Sequence, residues 1–202
     1  DKRPMDLLKK EFSQLEFLTF PGYNITYPDS NNMIITVARQ IPKILSGIKK
    51  ENTKLKDIIE KYKIDGVISD NRFGVWSDDI PCVFITHQLE IQSKILKSNI
   101  QKINYSYINK YNACWVPDYN IDSLAENLSH PKKLPNNIHY IDPLSRFKKK
   151  EVSKKYKLIG IVSGPEPQRT HLEKIFKKAL LKYNNPSLLI LGKPESRTKE
   201  TI

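Results

Sequence analysis

Cysteine is nearly absent from this 202-residue chain, with Cys82 and Cys114 the only two, and no metal-ligand spacing surrounds either. A disulfide framework and a zinc cluster are therefore both excluded, and each cysteine reads as a buried free thiol in a reducing compartment. No apolar run approaches the roughly 18 residues of a membrane-spanning helix. Neither a Walker loop nor a full Gly-x-Gly-x-x-Gly occurs, so the commonest glycine-rich phosphate cradles are missing. The Gly-x-Ser-x-Gly elbow of serine hydrolases is missing too. The chain opens on Asp1-Lys2-Arg3-Pro4, with neither Met nor a charged-then-apolar leader, and both ends are expected to be cut from something longer.

Arginine is also scarce. The net charge is +12, yet 28 of the 34 basic residues are lysine. Base readout and bidentate phosphate clamping draw mainly on arginine. The surplus of lysine reads first as solvated helix faces, and second as a surface that favours acidic partners such as nucleotide diphosphates or anionic headgroups. With 39% hydrophobic and 28% charged residues the composition is that of an ordinary globular protein of one large or two small domains.

What is present is organised around Lys157-Leu158-Ile159-Gly160-Ile161-Val162-Ser163-Gly164-Pro165. The apolar run predicts a strand buried on both faces, stopped where Gly permits a tight turn and proline forbids further pairing. Leu172, Ile175, Phe176, Ala179, Leu180 and Tyr183 then follow one helical face. Ser187-Leu188-Leu189-Ile190-Leu191 supplies a second strand and completes a strand–helix–strand unit. Such a unit aims free backbone N–H groups above the carboxyl end of its first strand, so the Ser163–Gly164 turn is the expected anion seat.

Upstream, Leu7, Leu8, Phe12 and Leu15 predict a short helix, and 15–20 a strand that Pro21-Gly22 ends; a loop runs on through Tyr27–Asn31. Ile34 to Ile48 keep helical period across Pro42, which is expected to kink or restart the helix, and Leu55, Ile58, Ile59 and Tyr62 predict a second one. Buried strands are expected at 65–70, at 81–86 and at 113–117, with a helix over 100–111 and a short strand at 138–141. From Asp118 to Asn137 the composition is that of a surface loop. Lys148 to Lys155 has no apolar period and marks a linker between a domain over 1–147 and the beginning of another over 156–202. The fold class is α/β, in two layers with parallel sheets.

In open parallel sheets ligands sit beyond the carboxyl ends of the strands. That rule selects Asn71 and Arg72, His87 and Gln88, Asp118, Arg146, and Ser163 through Arg169. Each has a plainer alternative. His87 reads equally as a structural histidine holding a loop, Arg72 as a surface partner of Asp78 or Asp79, and Arg146 as a brace for the linker. Asp78 and Asp79 are adjacent and make a poor metal-binding pair; His171 reads as solvated and His139 as structural.

Four stretches resemble a glycosyltransferase family. They are Asp65-Gly66-Val67-Ile68-Ser69-Asp70-Asn71-Arg72, Phe84-Ile85-Thr86-His87-Gln88, Asp142-Pro143-Leu144-Ser145-Arg146-Phe147 and Ser163-Gly164-Pro165-Glu166-Pro167-Gln168-Arg169-Thr170. Together they are similar to bacterial family 28-like enzymes of the GT-B architecture, which has two Rossmann-like domains. The resemblance implies an acceptor-binding N-terminal domain, a nucleotide-sugar-binding C-terminal domain, and chemistry in the cleft between. It implies His87 as the catalytic base, with Asn71, Arg72 and Gln88 on the acceptor side. It places Arg146, Ser163, Gly164, Glu166, Gln168 and Arg169 on the donor, under a UDP-like diphosphate whose departure the helix end favours. No metal and no cofactor are implied, and the partners are a UDP-sugar and a saccharide or lipid-linked acceptor, without nucleic acid. The location is expected to be cytoplasmic, at the inner face of the cell membrane if the positive charge, the sole ground for it, brings peripheral contact with an anionic surface.

The family opens on a strand and a Gly-rich loop that nothing before Leu7 matches, and its second domain continues past the first strand–helix–strand. The chain is therefore expected to be an inactive internal fragment, with 195–202 a frayed end. Two other readings stand beside this one: a sugar-nucleotide epimerase of the same architecture, and a basic nucleic-acid-binding α/β module. The scarcity of arginine counts against the latter.

Overall fold

The computed structural model describes residues 2–23, 33–92, 97–164 and 166–193. The loop expected through Tyr27–Asn31 and the frayed end expected over 195–202 lie outside the described residues, as does Pro165. The chain divides into two compact units, one of Thr19–Phe147 and one that joins Asp1–Leu18 to Lys148–Ile202.

Thr19–Phe147 is built on a four-stranded parallel sheet. After helix α2 (Met33–Tyr62) come β1 (Val67–Asp70), β2 (Cys82–Ile85), helix α3 (Lys97–Ile108), β3 (Ala113–Val116) and β4 (Ile138–Tyr140). Consecutive strands lie side by side in the order β1-β2-β3-β4. Val67 pairs with Cys82, Val83 with Ala113 and Cys114 with Ile138. None of these four strands flanks a reversal of order, so the crevice that a doubly wound sheet opens at such a reversal is not formed by them. The core is Cys82, Phe84, Leu89, Ile108, Tyr111, Cys114 and Val116, and Phe84 packs between Phe73 and Tyr111 at ring-centroid distances of 5.2 and 4.9 Å. Alternate residues of β2 and β3 are fully buried, as the two inner strands of a covered sheet require.

Three expectations need correction here. No strand forms over 15–20; Leu15 and Leu18 are exposed, and the segment is fixed instead by the Pro21 carbonyl and the Tyr23 hydroxyl, which bond to Arg72 and Glu51. A strand needs a ladder partner, and no strand pairs with this segment among the described residues. The two helices expected on either side of Lys49–Lys54 are one, because Pro42 forfeits a single backbone donor and nothing between Ile48 and Leu55 breaks a helix. Ile48, Glu51, Leu55 and Ile58 form a buried stripe among its described side chains. Strand β1 is covered on one face only: Ser69 is buried, whereas Ile68 is 62% exposed at the sheet's edge.

The other unit holds helix α1 (Lys2–Glu11) and the unit β5 (Leu158–Ile161), α4 (Gln168–Leu180), β6 (Ser187–Ile190). β5 and β6 pair in parallel from Leu158↔Ser187 to Ile161↔Ile190. Gly160 lets the sheet close on α4, since a methyl there would lie 3.0 Å from Leu189 and 3.3 Å from Phe176. The expectation that β5 is buried on both faces is not met. Ile159 and Ile161 point away from α4 and are 52% and 66% exposed, while Val162 alone is fully covered. One helix can cover one face of two strands, and no second layer lies over the other among the described residues.

Candidate functional site

At the carboxyl end of β1, Asn71 takes a left-handed conformation with φ 54° and donates its N–H to Ile85 O at 3.0 Å. Asn tolerates this conformation better than most residues. Its side-chain oxygen accepts a long bond of 3.4 Å from the hydroxyl of Thr86, the first residue past β2. Thr86 is buried and also accepts the Gln88 N–H at 3.1 Å, so a tight turn presents His87 and Gln88, both exposed, at the sheet's edge. The structure thus brings Asn71, His87 and Gln88 to one edge through Thr86.

Arg72 is committed elsewhere. Its Nε donates to Glu51 Oε1 at 2.6 Å, its Nη2 pairs with Glu51 and the Pro21 carbonyl, and its guanidinium lies 5.5 Å from the Phe20 ring and 5.9 Å from that of Tyr23. Glu51 is wholly buried, and its second oxygen accepts the Tyr23 hydroxyl and the Gly74 N–H. Burial, followed by the bond to Glu51, pushes the Tyr23 hydroxyl far above the ordinary tyrosine range. A methyl on Gly74 would sit 2.3 Å from Ile48 O, so only glycine lets this loop lie against α2. Glu51 and Tyr23 did not stand out in the sequence, although a carboxylate in the apolar stripe of α2 was the available signal.

Past β3, Asp118 is 1% exposed and gathers its whole loop. It accepts the N–H groups of Tyr119 and Leu124, both at 2.8 Å, and of Ala125 at 3.2 Å, with the hydroxyls of Ser123 and Ser129. Burial alone would raise its carboxyl pKa, but the bonds from Ser123, Ser129, Leu124 and Ala125 outweigh it and hold the group far below the usual range. Ser129 also meets His130 Nδ1 at 2.9 Å, and that ring stacks on Tyr140 at 4.4 Å. Leu89 and Glu90 both donate to Leu128 O at 2.9 Å, which ties this loop to the one carrying His87.

In the other unit, Ser163 and Gly164 turn the chain from β5 towards α4. Both are exposed, Gly164 has φ 118°, and a methyl on it would meet nothing within 4 Å. The first turn of α4, however, already holds an anion. The Glu166 carboxylate accepts the Thr170 hydroxyl at 2.6 Å, the Arg169 Nε at 2.6 Å and the Thr170 N–H at 3.2 Å, and these bonds lower its pKa. Arg169, 5% exposed, spends its remaining donors on Glu173 at 2.9 Å, Leu191 O at 3.3 Å and Thr170 Oγ1 at 2.8 Å. Glu173 is also met by Lys193 at 2.9 Å, and bonds from Arg169 and Lys193 bring its carboxyl down to about 2. Arg169 therefore staples α4 to the end of β6 rather than standing open. Gln168 is exposed at the start of α4, and Arg146, in the Thr19–Phe147 unit, is exposed with its guanidinium 5.7 Å from the Phe147 ring.

A groove lined by Tyr156, Leu180, Leu181, Tyr183, Asn185 and Pro186 lies at the amino ends of β5 and β6, opposite the Ser163 corner. No cluster of three or more His, Cys, Asp or Glu that could hold a metal occurs among the described residues. Among them, too, no helix is long and apolar enough to cross a membrane. Comparisons with protein-family models, with curated proteins and with solved structures gave no match.

Proposed function

We propose that the chain is part of a glycosyltransferase that moves a sugar from a nucleotide diphosphate, UDP in the first instance, to an acceptor hydroxyl. The observation that carries this reading is the exposed His87 on a turn pinned by Thr86 at the carboxyl edge of a parallel sheet, with Asn71 and Gln88 beside it. Imidazole is the side-chain type most often used as a general base. In the reaction the acceptor oxygen bonds to the anomeric carbon, the bond from that carbon to the diphosphate breaks, and the hydroxyl proton passes to His87. The open Ser163–Gly164 corner is the seat offered to the diphosphate. Because Glu166 occupies the first turn of α4, backbone N–H groups of the corner itself, rather than the helix end, carry that task.

The test is a screen of nucleotide-sugars against the complete gene product by thermal shift, since a ligand of the native state raises its apparent stability. Release of UDP with candidate acceptors then follows. A UDP-sugar that stabilises the protein and yields UDP only with acceptor supports the reading. Epimerised sugar, or UDP freed without acceptor, would move the assignment to the epimerase, and no response to any nucleotide-sugar would end it.

A further inference from the structure

The turn that carries His87 ends at Leu89, and from Leu89 to Ile91 the chain belongs to no helix or strand. Backbone groups without a ladder must still find partners, and here they come from two sides. Leu89 is wholly buried in the core beside Phe84 and Ile108, and its N–H and that of Glu90 go to Leu128 O at 2.9 Å. Helix α3 serves the other side. Gln101 Nε2 donates to Leu89 O at 2.7 Å, while Gln101 Oε1 accepts the Ile91 N–H at 2.8 Å. One side-chain amide thus holds a carbonyl and the N–H two residues on, the work that a neighbouring strand does in a sheet. Buried Asn104 adds a second donor to Leu89 O at 3.3 Å, and Lys97 pairs with Glu90. At the near end Thr86 donates its N–H to Trp115 O at 3.1 Å and accepts the Gln88 N–H on its hydroxyl. His87 and Gln88 are therefore two exposed residues spanning two fixed points.

We propose that Gln101 is a positioning residue for this exposed pair: by fixing Leu89 and Ile91 it holds the His87 imidazole where an acceptor hydroxyl would meet it. What His87 does there rests on the glycosyltransferase reading; where Gln101 holds it does not. A brace for the fold alone would not need this arrangement. Asn104 and Ile108 already supply the buried face of α3, whereas half-buried Gln101 spends both ends of its amide on the residues that follow the tip. Misplacing a reacting group by about 1 Å can cost about a hundredfold in rate, so a loosened tip is costly even when the fold survives.

The test is Gln101→Met, which keeps the length of the side chain and removes both bonds. In the full chain, backbone amide relaxation should give His87 and Gln88 order parameters of about 0.85 in the wild type, falling towards about 0.6 in the variant. The Ile91 amide should exchange with solvent about fivefold faster relative to that of Phe84 in β2, a ratio that a uniform loss of stability would leave unchanged. Circular dichroism should match the wild type. In the complete gene product kcat should fall about ten- to a hundredfold with the KM for UDP-sugar unchanged. Once His87 is Gln, Gln101→Met should cost nothing further, because it acts through the imidazole. A tip already mobile in the wild type, order parameters unchanged in the variant, or a full second loss of rate on top of His87→Gln would each overturn the proposal. Relaxation and exchange need no substrate. A tip that loosens in a protein inert to every nucleotide-sugar would end the glycosyltransferase reading and leave Gln101 as the holder of the tip. Turnover alongside a tip that stays rigid in the variant would do the reverse.

Discussion

Glu51, wholly buried on α2, accepts the Nε of Arg72 at 2.6 Å across 21 residues of sequence. This pair decides where the loop after β1 lies, and so where Asn71 meets Thr86. Breaking a buried pair by removing one partner leaves a charge without compensation, at about 3–5 kcal/mol, though the half-exposed Arg72 side reduces this. Glu51→Ala is therefore expected to lower stability in urea by about 2–4 kcal/mol. Arg72→Ala should cost at least as much, because it strands the wholly buried Glu51 carboxylate, which Tyr23 and the Gly74 N–H hold only in part. The double variant should fall short of the sum of the two, and full additivity would show that the pair is not coupled.

How much of this was legible follows from what kind of signal each element left. The six strands among the described residues announce themselves as short apolar runs bounded by Gly, Pro and Asn, although the same signal at 15–20 yields no strand. Pairing of β5 with β6 in parallel follows from the amphipathic helix between them. Exposure does not follow from a run, since Ile159 and Ile161 read as core but face outward when no layer lies over them. The side-chain cradles were hidden for another reason: Glu51 and Arg72, or Asp118 and Ser129, are chemically ordinary until the fold brings them together. Arg169 and Glu173 stand at the i,i+4 spacing that a helix turns into an ion pair, yet the resemblance had placed Arg169 on the donor.

Acid should loosen the loop after β3 in a defined direction. Asp118 has a folded pKa well below the ordinary carboxylate value, so below about pH 5 the unfolded chain takes up a proton that the folded chain resists. Its contribution is complete above the unfolded pKa and is lost as pH falls towards the folded one. Asp118→Asn should cost about 2–3 kcal/mol at pH 7, two hydroxyl donors having lost a charged acceptor. The gap between wild type and variant, followed as the urea midpoint from neutral pH downward, should narrow below about pH 5. A gap independent of pH would mean that Asp118 titrates normally.

Both thiols should be silent in the native protein. Cys82 and Cys114 are fully buried, and burial pushes the Cys114 thiol up to about 12 and the Cys82 thiol upward as well. The thiolate is the reactive form. Ellman's reagent at mildly alkaline pH is expected to leave the folded chain unmodified and to titrate both cysteines in urea. Prompt reaction of either without denaturant would place it nearer the surface than the core described.

The Ser163–Gly164 corner offers a test in which backbone and ligand effects separate. With φ 118°, Gly164 holds a conformation essentially closed to other residues, yet a methyl there would touch nothing within 4 Å. Gly164→Ala should therefore cost about 1–3 kcal/mol through strain alone. Ser163→Ala, at an exposed position, should stay within about 0.5 kcal/mol of wild type. If the corner seats a diphosphate, Ser163→Ala should also show a smaller thermal shift with UDP than the wild type. An unchanged shift would remove the Ser163 hydroxyl from the donor site while leaving the strain argument intact.

His87 separates fold from chemistry most cleanly. It is exposed, and the turn that presents it is held by Thr86 and the Gln88 backbone, with no hydrogen bond from the imidazole among the described residues. Replacing it should therefore leave stability within about 0.5 kcal/mol of wild type. As general base it contributes about two to four orders of magnitude to turnover, and His87→Ala and His87→Gln should both lose that factor in UDP release. The donor-induced thermal shift should survive in both, because the base acts on the acceptor's proton and not on the diphosphate. Wild-type turnover in a folded variant would return His87 to a loop-facing surface role, and loss of stability without loss of rate per folded molecule would make it structural.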